Sequence, residues 1–300
     1  MGKVAILFPG QGAQTVGMCR DFYDNFQSAR DVFDKMGEGV KNLAFNGPQE
    51  ELNLTGNAQP AIFAANLAVA YALDHAAIRP EGVAGFSLGE ISGLVYSGML
   101  SLDEGVRLVN FRAKVMEECT RKSVGGMAAV LNLDGDAVRE ICDGVSGTYP
   151  ANFNSATQTV VSYADGAFDP LSDAVKTAGG RIMKLLVSGA FHSPLMNQAA
   201  AGLEQYLGGV GIIQPRLPLY SNYTAEIYDD NAKELIHKQV NNPVLWHKTI
   251  ENMVRDGYDT FIEAGPGKVL GGLVKKIAPN AQVHSVFDVA GMEQARAIKN

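Results

Sequence analysis

Apolar and polar positions change rhythm several times along the chain, and the rhythm predicts the elements. A short apolar run at 3–8 reads as a buried parallel strand, followed by helical spacing near 26–36 and 58–75. The run Gly82-Val83-Ala84-Gly85-Phe86 predicts a strand at 82–86, with helices near 88–97 and 102–118. Strands alternating with helices imply a parallel sheet covered by helices on its faces. Past residue 124 the order becomes strand 127–133, helix 135–142, strands 149–154 and 158–163, helix 167–178 and strand 181–187. That βαββαβ order predicts a small ferredoxin-like domain at 124–187, inserted into a large domain formed by 1–123 and 188–300. Strand candidates at 218–222, 259–263 and 283–287 belong to the large part. Two lobes leave a cleft, and clefts beyond the carboxyl ends of parallel strands are where ligands bind.

The densest chemical signal lies at the end of the second strand. Gly85-Phe86-Ser87-Leu88-Gly89-Glu90 matches G-x-S-x-G between an apolar strand and a helix carrying Ile91, Leu94 and Val95 on one face. That context is the one a nucleophile elbow needs, and it makes the large domain α/β hydrolase-like in expectation. Glycines at 85 and 89 suit a turn too sharp and too tightly packed for side chains. Ser87 would stand at a helix start, where free N–H groups can stabilise an oxyanion. A bare match also fits a small-residue turn with no chemistry, so the remainder of the chain must decide.

A serine hydroxyl needs a base, and five histidines compete. His75, His237, His247 and His284 fall in helical or strand positions where a structural role is expected. His192 differs, because Ser188-Gly189-Ala190-Phe191-His192-Ser193-Pro194 lies where the inserted unit returns to the large one, facing the expected cleft. Arg112 is the second anomaly: it falls on the apolar stripe Val109, Arg112, Met116 of a helix. Such an arginine either closes an internal salt bridge or keeps its planar fork for a substrate carboxylate. The loop Pro9-Gly10-Gln11-Gly12-Ala13-Gln14, at a sheet edge after the first strand, lacks the Gly-Lys-Ser/Thr ending of a phosphate loop. It suits either an N–H lent to an oxyanion hole or a plain turn.

Composition narrows the classes. A chain of 300 residues, 46% hydrophobic and 19% charged, can bury a sizeable core. A net charge of −7 without a Lys/Arg run argues against nucleic acid as the main partner. No apolar run is long enough for a membrane span and no signal-peptide pattern opens the sequence, so the cytoplasm is the expected compartment. Cys19, Cys119 and Cys142 show no metal-ligand spacing and no redox pair, which suits reducing surroundings.

Together these residues resemble the malonyl-CoA:acyl carrier protein transacylase family of fatty acid and polyketide synthesis. The resemblance spans nearly the whole chain. Its elements in order are Gly10-Gln11-Gly12-Ala13-Gln14, Gln59-Pro60 opening a helix, the elbow at 85–90, and Arg112. Asn154-Ser155, Phe191-His192, Ser221-Asn222, Asn242-Pro243-Val244 before Trp246, and Gly265-Pro266-Gly267-Lys268-Val269-Leu270 follow. The resemblance implies that Ser87 takes the malonyl group from malonyl-CoA with His192 as base, then passes it to the phosphopantetheine thiol of acyl carrier protein. It implies an oxyanion hole from the N–H groups of Gln11 and Leu88, an Arg112 pair with the malonyl carboxylate, and a Gln239 backbone carbonyl orienting His192. No metal or tightly held cofactor is implied, and the family suggests a monomer. Phe191 is the residue type that accompanies malonyl rather than methylmalonyl choice, a preference worth about 1–3 kcal/mol in an apolar pocket. Phe86 departs from the family, many members of which carry histidine there, so it shapes the acyl pocket without a polar contact. Acyl carrier proteins are typically acidic, which makes Lys275, Lys276, Arg181 and Lys184 candidate docking residues. Two other readings compete: a hydrolase of the same scaffold releasing acyl groups to water, and an idle protein that only docks the carrier. Arg112 argues against the first and the Ser87/His192 pair against the second.

Overall fold

The computed structural model describes residues 2–296. Among the described residues nine strands form two sheets: β1 (Lys3–Phe8), β2 (Gly82–Gly85), β3 (Gly125–Leu131), β4 (Thr148–Ser155), β5 (Gln158–Ala164), β6 (Arg181–Lys184), β7 (Leu219–Tyr220), β8 (Tyr258–Ala264) and β9 (Gln282–Val286). One sheet runs β7-β2-β1-β8-β9 with every neighbouring pair parallel. The other runs β4-β5-β3-β6, all antiparallel. The first strand is therefore the middle of its sheet, and its glycine-rich loop leaves the sheet's carboxyl end rather than a lateral edge.

Parallel strands covered on both faces should be apolar throughout. Ala5, Ile6, Leu7, Phe8, Val83 and Ala84 are all fully buried. The helix Thr55–His75 covers one face and is itself buried nearly all round, from Ala58 to Leu73. It begins earlier than expected, so Gln59-Pro60 lies inside it rather than at its start. The fixed φ of proline is helical, and a residue this close to the N-terminus forfeits only one ladder bond, to the Gly56 carbonyl. Arg112 comes from the helix Leu102–Lys122, whose start is fixed by a capping box between Ser101 and Glu104.

The small sheet is stitched to the segment that precedes the helix Trp246–Arg255. The Phe153 N–H donates to the Val244 carbonyl at 2.9 Å, and the Val244 N–H donates to the Ala151 carbonyl at 2.8 Å. Strand β6 ends at Lys184, short of the expected 187. The pair at 219–220 is all that forms of the strand expected over 218–222, because Asn222 turns away to bond the serine loop.

Candidate active site

Strand β2 delivers its chain to a turn that only glycine can flank. A Cβ on Gly85 would lie 2.1 Å from the Gly89 carbonyl carbon, and one on Gly89 would lie 2.1 Å from the Phe8 carbonyl oxygen. Between them Ser87 has φ 51°, the left-handed region that costs a side-chain-bearing residue about 1–2 kcal/mol. Asn222 holds that strain. Its Nδ2 donates to the Gly85 carbonyl at 2.6 Å, and its Oδ1 accepts from the Ser87 N–H at 2.6 Å. The Phe86 N–H donates to the Phe8 carbonyl at 2.9 Å, which ties the turn to the central strand.

Ser87, Arg112 and His192 meet in one cavity of about 300 Å³ between the sheets. Ser87 Oγ lies 2.7 Å from His192 Nε2. The other ring nitrogen, Nδ1, lies 2.8 Å from the Gln239 backbone carbonyl, which can only accept. The proton therefore sits on Nδ1 and leaves Nε2 free to accept from the serine. Burial, and then the Arg112 charge, push the His192 imidazolium down to about 4. The ring is neutral at pH 7. Because only the neutral ring can accept a proton, the rate of acylation at Ser87 should stay level from pH 8 to 5.5 and fall to half near pH 4, measured as single-turnover formation of the acylated protein.

Arg112 is 1% exposed, and no Asp or Glu oxygen lies within salt-bridge distance of it among the described residues. This disposes of the internal salt bridge. Its Nη1 donates to Gln59 Oε1 at 2.6 Å, and its Nη2 donates to Gln239 Oε1 at 2.9 Å and Ser87 Oγ at 3.2 Å. Among the described residues the Nε–H has no partner. Burial lowers the guanidinium to about 10, against the raising effect of Glu90, so it stays charged at neutral pH. A buried cation held by neutral amides beside a serine hydroxyl has the chemistry to pair with a carboxylate.

Among the described residues the N–H groups of Gln11 and Leu88 have no acceptor, whereas that of Ser87 is taken by Asn222. Gln11 is fixed in its turn by Nε2 donating to Thr55 Oγ1 at 3.1 Å, and Thr55 Oγ1 lies 2.7 Å from Ser188 Oγ. Phe86 and Phe191 both line the cavity. Phe86 packs edge-on against Trp246, ring centres 5.3 Å apart, so the phenyl occupies an aromatic niche with no polar partner to satisfy.

The sequence alone does not reveal the polar cluster beneath these groups. The Gln239 side chain bonds Arg112 as well as the backbone of Ser87, and the buried Glu90 accepts from Tyr228 Oη, the Asn222 N–H and Gln239 Nε2. Burial raises the Glu90 carboxyl to about 7, against the lowering effect of these bonds. A Glu directly after G-x-S-x-G, on a helix buried all round, was the one available hint.

A strand-turn-helix serine paired with a histidine, beside a buried arginine, defines an acyl-transferring serine site able to take an acidic acyl group. Residues 6–297 match the acyl transferase domain family, and the chain belongs to it. It is 38% identical over 306 residues to the malonyl CoA-acyl carrier protein transacylase of Bacillus subtilis, with 98% of this chain and 96% of that one covered. The crystal structure of the Clostridium perfringens protein of the same name superposes with a TM-score of 0.95 at 40% identity, covering 99% of this chain and 97% of that chain. A malonyl-transacylase solved in complex with a type II polyketide synthase acyl carrier protein gives a TM-score of 0.95 at 33% identity, covering 99% of both chains.

Proposed function

We propose that this protein transfers a malonyl group from malonyl-CoA to the phosphopantetheine thiol of acyl carrier protein through a malonyl-serine. The observation that carries the reading is Arg112, a buried cation without an ion pair among the described residues, 3.2 Å from the serine hydroxyl. Ser87 Oγ attacks the thioester carbonyl while its proton passes to His192 Nε2. The oxyanion is received by the N–H groups of Gln11 and Leu88. On collapse the C–S bond breaks and the thiolate leaves with the proton from His192. The carrier thiol then gives its proton to His192 and attacks the malonyl ester, and Ser87 recovers its proton as the ester C–O bond breaks. The thioester is already activated, so no metal or bound cofactor enters these steps.

In this reading residues 1–123 and 188–300 are an α/β hydrolase-like catalytic domain, and 124–187 an inserted ferredoxin-like domain. The β4-β5-β3-β6 order with its antiparallel pairs supports the second term. Phe191 narrows the pocket against a branched acyl group. Lys276 Nζ donates to the side chain of Gln158, a cavity-lining residue, at 3.1 Å, so a basic side chain stands at the rim where an acidic carrier would arrive. Among the described residues no helix is long and apolar enough to cross a membrane. We place the reaction in the cytoplasm, carried out by a monomer; three free cysteines support the compartment.

Incubation with malonyl-CoA, acetyl-CoA or methylmalonyl-CoA, followed by intact mass spectrometry, tests the reading. The expected result is a malonyl adduct that a carrier thiol removes faster than water does, with less adduct from the other two. A hydrolase would release the acyl group to water, gain nothing from Arg112, and show no acceleration by carrier. An idle docking protein would show no adduct.

A further inference from the structure

The cluster under the cavity floor contains one charged group that touches neither substrate pocket nor nucleophile. Glu90 follows the elbow glycine, is 1% exposed, and lies on the helix Gly89–Tyr96. Its Oε1 accepts from Tyr228 Oη, and its Oε2 accepts from the Asn222 N–H and from Gln239 Nε2, both at 3.0 Å. It therefore anchors the two amides that reach the active site. Gln239 is the informative one. The ends of a side-chain amide are nearly equal in shape, so neighbours decide which way it faces. Its NH2 end meets two pure acceptors, Glu90 Oε2 and the Ser87 carbonyl, the latter at 2.7 Å. Its Oε1 must then face Arg112, whose Nη2 it accepts at 2.9 Å.

From this geometry we infer that Glu90 is a positioning residue for the acidic acyl group: by accepting from Gln239 it keeps that amide's oxygen on Arg112 and so fixes the guanidinium that grips the substrate carboxylate. The inference rests on the malonyl-transfer reading. The elbow does not depend on this one acceptor, since the Asn222 side chain and the flanking glycines hold it as well. Arg112 has fewer supports, with Gln59 on one arm and Gln239 and Ser87 on the other.

The role depends on an acceptor at the right reach rather than on charge, and two substitutions separate these. Glu90→Asp keeps the carboxylate and withdraws it by about 1.5 Å, one carbon–carbon bond, so it cannot hold Asn222 and Gln239 together. Glu90→Gln removes the charge and keeps an oxygen at the original reach, its NH2 turned to the Tyr228 oxygen. Two rates are measured on each: single-turnover malonylation, and labelling of Ser87 by an uncharged fluorophosphonate, which needs the elbow and His192 and brings no carboxylate for Arg112 to grip. Glu90→Asp should lose about tenfold in malonylation, the value of one charge-assisted contact, with labelling within about twofold of the parent. Glu90→Gln should keep both rates within about threefold of the parent. Equal loss of both rates in either variant would show that Glu90 only holds the fold. A Glu90→Gln variant worse than Glu90→Asp would assign the effect to charge; either result overturns the inference. Should Glu90→Asp fail to fold, Glu90→Gln decides alone, since selective loss of malonylation there contradicts the acceptor role. Absence of malonylation in the parent would instead defeat the malonyl reading.

Discussion

Replacing Ser87 by alanine should leave a folded protein that takes up no malonyl group from malonyl-CoA. The hydroxyl's contacts are to His192 at 2.7 Å and Arg112 at 3.2 Å, both within the site, so its loss removes no support from the sheet. Alanine pays the same left-handed backbone cost that serine already pays, and the melting free energy should change by less than about 1 kcal/mol. Transfer to carrier protein should fall by about 10⁴-fold or more, the usual consequence of deleting a covalent nucleophile. The cysteines cannot stand in for it. Burial raises the thiols of Cys19 and Cys119, and raises that of Cys142 to about 11, so none offers a thiolate at neutral pH. Intact mass spectrometry before and after exposure to malonyl-CoA reads the result, and a malonyl-sized increment on the alanine variant would remove Ser87 from its role.

What could be seen in the sequence was whatever breaks a local rule. Ser87 stood between two glycines at a strand-to-helix turn, and Arg112 interrupted an apolar stripe; both sit in the cavity. His192 was legible from its place at a junction rather than from its neighbours. Gln239 could be placed through its backbone carbonyl by family resemblance, but its side chain could not, because a glutamine in a polar helix breaks no pattern. Its contacts to Ser87 and Glu90 span 152 and 149 residues, and nothing local encodes them. Asn222 was noticed as part of a motif, yet its task of holding the elbow across 135 residues emerges only when β7 is laid beside β2. Periodicity placed the helix containing Pro60 but misjudged its start, since a proline near a helix N-terminus is tolerated and not only a signal of the first turn.

Arg112→Ala should cost malonyl transfer about 10²-fold in kcat/KM and acetyl transfer several-fold at most. The asymmetry follows from where the charge is used. Malonyl carries a carboxylate to a guanidinium that is 1% exposed, and leaving it there without its cation forfeits about 3 kcal/mol or more. Acetyl has no such group, and loses only the Nη2 contact to Ser87 Oγ. Arg112→Lys should recover part of the malonyl rate, because a single ammonium keeps the charge without the fork that engages Gln59, Gln239 and a carboxylate together. The pH profile offers a second reading of the same substitution. Arg112 is one cause of the low His192 value, so its removal should move the acid limb of acetyl transfer upward from about 4, while burial keeps it below the ordinary 6.5. Equal losses for the two acyl groups with an unmoved limb would make the arginine a structural residue, and the cavity would then have no group that distinguishes a diacid from an uncharged acyl chain.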